Sequence, residues 1–184
     1  MALANVSPKP IIIYNVPGRT SSNISAATLV RLANASDKFV AVKDASGDLH
    51  QAAQLIKNKP DHFLVLSGDD PSCLPLLACG GDGVISVISN AFPKAFSTMV
   101  RAAKNNDFVE ARQLHLALLD IHHWLYVEGN PTGIKAALEI LNICKRNVRI
   151  PLTPLQDHNH QGLEKEINKA LSLLKKKNKI LITG

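Results

Sequence analysis

The first hundred residues alternate short, unbroken apolar runs with amphipathic stretches, and the remainder carries helical periodicity only. The runs fall at about 10–14, 39–43, 63–67 and 83–88. Apolar runs this short, without alternation, predict strands buried on both faces, as in a parallel sheet. Each closes on a polar side chain: Tyr14, Lys43, Ser67 and Ser86. The intervals between those ends suit a strand plus a helical crossover.

The intervening stretches carry helix-start signals. Ser25 is placed to cap one helix, with Ile24 and Leu29 as a hydrophobic staple across its first turn. Asp48 is placed to cap the next, in which Leu49, Ala52, Ala53 and Ile56 follow the helical period. Asp70 before Pro71 predicts a third cap, with proline at the first helical position. Pro75 is expected to remove one amide bond from that helix and bend it, and Gly80-Gly81 to stop it. Further on, helices are predicted from Phe92 to about Lys104, and from an Asp107/Glu110 capping box to about Tyr126. Another starts at Asn130-Pro131, with Ile134, Ala137, Leu138 and Leu141 on one face; Pro151 and Pro154 bracket a turn, and Glu164 to Lys177 forms the last helix. The pattern is α/β: four β/α units, then extra helices.

Chemistry concentrates at the first two strand ends. Lys43 closes Phe39-Val40-Ala41-Val42 and opens a polar loop, Asp44-Ala45-Ser46-Gly47-Asp48. α/β folds place their reactive groups at the C-terminal ends of parallel strands. There the lysine stem is expected in a partly dry pocket, where desolvation disfavours the ammonium. A neutral amine attacks a ketone and forms a Schiff base. Tyr14 ends Ile11-Ile12-Ile13 in the layer expected for Lys43, where its hydroxyl can relay protons. Arg19 follows on the loop after a Pro17-Gly18 turn, and its planar fork suits a carboxylate. Taken singly, each has a plainer reading: a solvated lysine, a core tyrosine, a surface charge. Together they describe a site for a carboxylated carbonyl compound.

Four ordered motifs, YNVPGRT at 14–20, VAVKDASGD at 40–48, LSGDD at 66–70 and GGDGVISV at 80–87, closely resemble dihydrodipicolinate synthases. The resemblance runs from about Pro8 to about Leu174. It implies a (β/α)8 barrel and a pyruvate-dependent class I lyase of the diaminopimelate route to lysine. A closed barrel of this class needs eight strands and about 250 residues, so 184 residues would hold its last four β/α units, over 1–106, and a C-terminal helical region, over 107–184. Met1 would fall in the helix before the fifth strand, as in a truncated reading frame or fragment.

The resemblance also implies roles. Lys43 would form the Schiff base with pyruvate, and the derived enamine would attack L-aspartate 4-semialdehyde; no other cofactor and no metal are implied. Tyr14 would relay protons, Arg19 would meet the aldehyde substrate's carboxylate, and Ile85 would line the pyruvate site. Gly68 would bring backbone close to the pocket, and Asn15 and Gly47 would shape the loops. Asp44 departs from the glutamate common in the family but keeps its charge. A threonine of the family's proton relay, a tyrosine from a neighbouring subunit and the allosteric lysine site belong to the absent half. The implied assembly is a homo-oligomer. Two alternatives stand: an inactive half-barrel or subunit, and a related aldolase such as N-acetylneuraminate lyase, which lacks an arginine after YNVPG. Four apolar strands without their partners should leave one face and two edges uncovered, and so favour association.

Composition changes this picture little. Hydrophobic content is 46%, within the globular range, and no apolar stretch approaches a membrane span. The N-terminus lacks the pattern of a signal peptide, so a cytoplasmic location is expected. Cys73, Cys79 and Cys144 have neither disulfide-framework nor zinc spacing and are expected as reduced core residues, and His122-His123 and His158/His160 are expected at the surface or in packing. Of the net charge of +6, much lies in Lys175-Lys176-Lys177-Asn178-Lys179, without the interleaved aromatics of a single-strand binder. Nucleic acid is not an expected partner.

Overall fold

The computed structural model describes residues 2–175, which divide into two compact units, the first ending at Ser86 and the second starting at Val87. In the first, a short helix α1 (Ala2–Val6) precedes β1 (Ile11–Asn15). There follow α2 (Pro17–Thr20), α3 (Ala26–Ala35), β2 (Phe39–Asp44), α4 (Leu49–Asn58), β3 (Leu64–Ser67), α5 (Cys73–Ala78) and β4 (Gly83–Val84). The four strands form one parallel sheet in chain order, β1-β2-β3-β4.

The register sorts the side chains into two faces. Ile13, Val42 and Val65 align on one, as do Asn15, Asp44 and Ser67 at its end; Ile12, Ala41 and Leu64 align on the other, as do Tyr14, Lys43 and Leu66. The first face is packed: Val42 and Val65 join Leu29 and Ala33 of α3, Leu55 of α4, Leu76 of α5 and Phe63 in a buried core. The second face is not. Ile12 and Tyr14 are each 48% exposed, Leu64 43% and Ile85 41%. Burial on both faces holds in β2, where Phe39, Ala41 and Val42 are all buried, while one face of β1 and β3 is uncovered, as expected for strands without their partners. β1 reads half-buried, exposed, half-buried, exposed, because its alternate side chains point to the uncovered side.

Local chemistry accounts for most boundaries. The Ser25 side chain accepts from the Thr28 amide at 3.3 Å, and Asp48 accepts from the Gln51 amide at 3.0 Å. Leu29 is fully buried, and Ile24 packs on the same core, as a staple requires. Three predicted features differ. The fourth strand pairs over Gly83–Val84 only, and Ser86 lies beyond it. The third helix starts at Cys73 rather than after Asp70, because residues 69–72 form a turn in which the Asp69 carboxylate accepts from the Ser72 amide at 3.0 Å. Pro75 consequently sits at the third helical position, where an amide has no intrahelical partner to lose. Gly80, at φ +98°, stops α5 in the left-handed conformation that glycine tolerates.

The second unit is helical: a 3₁₀ turn at Ile88–Asn90, then α6 (Pro93–Lys104), α7 (Phe108–Leu118), α8 (Ile121–Tyr126), α9 (Thr132–Ile140) and α10 (Asp157–Lys175). Asp107 caps α7, accepting from the Glu110 amide at 3.0 Å. The single helix expected from there to about Tyr126 is interrupted at Leu119 and Asp120, although both keep right-handed backbone angles. α7 packs on α6, and α10 on α7, α8 and α9, burying Met99, Leu114, Leu118, Leu125, Leu163 and Ile167. The predicted end of the last helix at Lys177, and the lysine cluster beyond Lys175, lie outside the described residues.

Candidate active site

The C-terminal ends of β1, β2 and β3 bring Tyr14, Lys43 and Gly68 together. Tyr14 and Lys43 are register partners, so their side chains leave the same face of the sheet. The Lys43 Nζ lies 4.1 Å from the centroid of the Tyr14 ring, within cation–π range. Lys43 is half-buried and Tyr14 is open to solvent on the uncovered face. A small carbonyl compound approaching from that side meets an amine and a phenol in contact with each other.

Gly68 borders the lysine stem. A Cβ there would fall 2.9 Å from the Ala45 Cβ, 2.9 Å from the Lys43 Cγ and 3.0 Å from the Lys43 Cε. Its amide donates to the Asp44 carbonyl at 2.7 Å, which extends the β2–β3 pairing past Ser67. The Ile85 amide likewise donates to the Ser67 carbonyl at 2.9 Å and sets Ile85 just beyond β4. Backbone bonding at the strand ends thus aligns four of the five singled-out residues along one rim.

Arg19 stands apart. The expected Pro-Gly turn is the short helix α2, with Pro17 in its first turn, where its fixed φ and missing N–H cost nothing. Arg19 is exposed in its last turn and, among the described residues, makes no ion pair. It shares no hydrogen bond with Tyr14 or Lys43 and remains available to an incoming anion.

Behind the rim, on the packed face, lies a polar network that sequence reading reached only as loop-shaping residues. The Asn15 amide nitrogen donates to the Asp44 carboxylate at 3.0 Å and to the Asn23 carbonyl at 2.9 Å, while its own carbonyl accepts from the Ile24 amide at 3.0 Å. Asn23 reaches Gln51 of α4 at 2.9 Å. Asp44 also accepts from the Ser46 amide at 3.2 Å and hydroxyl at 3.0 Å. Asn15 is 1% exposed and Asp44 7%. Gly47, at φ +71°, turns the loop after β2. The available signal was an asparagine directly after the strand-end tyrosine. Among the described residues no cluster of histidine, cysteine or carboxylate side chains could hold a metal ion, and no helix is long and apolar enough to cross a membrane.

A family model described as the dihydrodipicolinate synthetase family matches residues 1–170. The 4-hydroxy-tetrahydrodipicolinate synthase of Koribacter versatilis is 47% identical over 164 residues, which cover 89% of this chain and 54% of that protein. The solved 4-hydroxy-tetrahydrodipicolinate synthase of Methylacidiphilum fumariolicum SolV superposes with a TM-score of 0.90 at 36% identity, over 95% of this chain and 58% of that one. The chloride-inhibited dihydrodipicolinate synthase of Acinetobacter baumannii, solved in complex with pyruvate, gives a TM-score of 0.87 at 37% identity, over 92% of this chain and 58% of that one. The chain spans about half the length of the curated relatives it matches, roughly their C-terminal half.

Proposed function

The chain belongs to the dihydrodipicolinate synthetase family, and we propose that it carries the Schiff-base centre of an enzyme that condenses pyruvate with L-aspartate 4-semialdehyde to 4-hydroxy-tetrahydrodipicolinate. The observation that carries this reading is the Lys43 amine on the face of the Tyr14 ring, at the C-terminal ends of adjacent parallel strands. Lys43 attacks the keto carbon of pyruvate, and water leaves as the imine forms. Loss of a methyl proton gives the enamine, whose carbon bonds to the aldehyde carbon of the second substrate; the semialdehyde's own amine then attacks the regenerated imine carbon and displaces the Lys43 amine, closing the ring and freeing the lysine. Tyr14 moves protons between the developing alkoxide, the amine and solvent. Arg19 takes the carboxylate of the semialdehyde, Ile85 lines the pyruvate side, and Gly68 leaves room for the lysine stem. The pyruvate complex of the Acinetobacter baumannii relative supports the choice of first substrate.

The fold is that of four β/α units of a (β/α)8 barrel. We assign 1–106 to the second half of such a barrel and 107–184 to its C-terminal helical region. The centre needs no metal or organic cofactor beyond the covalent imine. The uncovered Ile12, Tyr14, Leu64 and Ile85 face supports a homo-oligomeric or otherwise partnered state; a cytoplasmic location is part of the same proposal. It also favours a second reading, in which the chain alone is a poor catalyst because its pocket has one wall. Condensation assayed with both substrates tests the two. The chain alone should give negligible turnover, and co-expression with a first-half fragment from a related enzyme should restore some. No turnover in the restored barrel would overturn the synthase reading.

A further inference from the structure

The Asn15–Asp44 bond joins the two residues that directly follow Tyr14 and Lys43. Along a strand, neighbouring side chains point to opposite faces. Tyr14 and Lys43 therefore project to the uncovered side while Asn15 and Asp44 project into the packed side, at the same two rungs of the ladder. Beyond the strand pairing, the side chains of Tyr14 and Lys43 meet through the ring face, with solvent beside them. Asn15 and Asp44 are buried, and their side chains meet at 3.0 Å.

The asparagine is fully committed. Its two amide hydrogens go to Asp44 and Asn23 and its carbonyl takes the Ile24 amide, so its orientation follows from its partners. Its backbone carbonyl accepts from the Ala45 amide at 2.8 Å, a second tie across the same two strand ends. Asp44 is equally anchored, by Asn15 on one side and Ser46 on the other. Through Asn23 and Gln51 the segment that follows α2, the helix carrying Arg19, is tied to α4.

We propose that Asn15 and Asp44 are positioning residues: their buried bond holds the rungs of β1 and β2 in the alignment that keeps the Lys43 amine over the Tyr14 ring. The proposal deepens the assignment of Lys43 as the Schiff-base lysine and rests on it for its kinetic readout, though not for its spectroscopic one. A carboxamide and a carboxylate joined this way fix distance without adding chemistry to the reacting face.

The test uses the full chain, with Asn15→Ala, Asp44→Ala, the double variant and Asp44→Asn. The first readout is the NMR shift of the Lys43 ε-methylene protons, which the Tyr14 ring moves upfield; Tyr14→Leu identifies the signal. The second is the rate of borohydride-trapped pyruvate adduct on Lys43, and urea midpoints monitor folding. Each alanine variant should lose the ring shift and trap about tenfold or more slowly, since a displacement of about 1 Å costs roughly a hundredfold. The double variant should be no slower than the slower single, because both act through one bond. Asp44→Asn keeps an acceptor for Asn15 and should recover most of the shift and rate lost in Asp44→Ala. Unchanged shift and rate in both folded alanine variants would overturn the proposal, as would additive losses. Where those variants do not fold, Asn15→Ser decides. It keeps a polar group but is too short to reach Asp44, and an undiminished ring shift there overturns the proposal. Absence of any pyruvate adduct in the parent chain would instead count against the Schiff-base assignment, with the ring shift still testing the positioning role.

Discussion

Replacing Gly68 by alanine puts one methyl group against the lysine stem. Carbon atoms rest at about 3.5–4.0 Å, whereas the new Cβ would stand 2.9 Å from both the Ala45 Cβ and the Lys43 Cγ and 3.0 Å from the Lys43 Cε. The overlap is roughly 0.5–1 Å at three atoms. The Cε can swing away, but the Cγ and the Ala45 Cβ lie close to backbone, so relief needs an off-rotamer lysine or a shift of the loop after β2. The first costs about 0.5–1.5 kcal/mol and overpacking about 1–3 kcal/mol, against a gain of about 0.4–1 kcal/mol from a stiffer unfolded chain. We expect a net loss on the order of 1 kcal/mol, read as a lower urea midpoint. The larger effect is on chemistry. A lysine stem displaced by about 1 Å should slow borohydride trapping of pyruvate by roughly a hundredfold. Gly18→Ala is the matched control, since a Cβ there meets nothing within 4 Å and should leave trapping unchanged. A Gly68→Ala chain that traps at the parent rate, with the parent midpoint, would show that Gly68 does not govern the placement of the lysine stem.

In a completed barrel, Arg19→Ala should weaken use of the semialdehyde by about 1.5–3 kcal/mol, the scale of a charge-assisted contact, and spare Schiff-base formation; equal losses in both assays would make Arg19 structural. Cys73 is fully buried, and burial, reinforced by Asp70 and Asp69, pushes its thiol up from 9.0 to about 12. Cys79 and Cys144 are exposed rather than in the core as expected, so iodoacetamide at mildly alkaline pH should label them and spare Cys73 until the chain unfolds. Because the folded pKa is the higher one, this thiol's contribution to stability is complete below about pH 9.0 and is lost as pH rises toward about 12. Burial holds the His115 imidazole below its usual 6.5. Its contribution is therefore present above pH 6.5 and lost as pH falls below that value, which urea midpoints of His115→Gln against the parent should reveal as a flatter acid limb.

Much of the first unit is legible in its apolar runs. The strands lie where the runs are, and the pairing of Tyr14 with Lys43 follows from each being the polar end of its run. Ser25, Asp48 and Asp107 cap helices because short oxygen-bearing side chains can reach free amides locally. Ile12, Leu64 and Ile85 lie on the face expected to be uncovered, since an apolar residue records a preference for burial and not the presence of a partner surface. The fourth strand shortens to two residues beside Gly81 and Gly83, where chain stiffness is low. Pro75 was misjudged because its effect depends on where the helix begins, and a turn stabilised by Asp69 moved that start. Within the site, Lys43, Tyr14 and Arg19 could be singled out by residue type and motif. The crowding at Gly68 and the Asn15–Asp44 bond could not, because both depend on register between strands distant in sequence.

Every role proposed for the site depends on Lys43 being the lysine that bonds to pyruvate. The direct measurement is borohydride reduction of the chain with pyruvate, followed by intact mass and peptide mapping. A single adduct is expected, on the peptide containing Lys43, and none in Lys43→Ala. An adduct mainly on the Lys175–Lys179 cluster, or one that survives Lys43→Ala, would contradict that assignment.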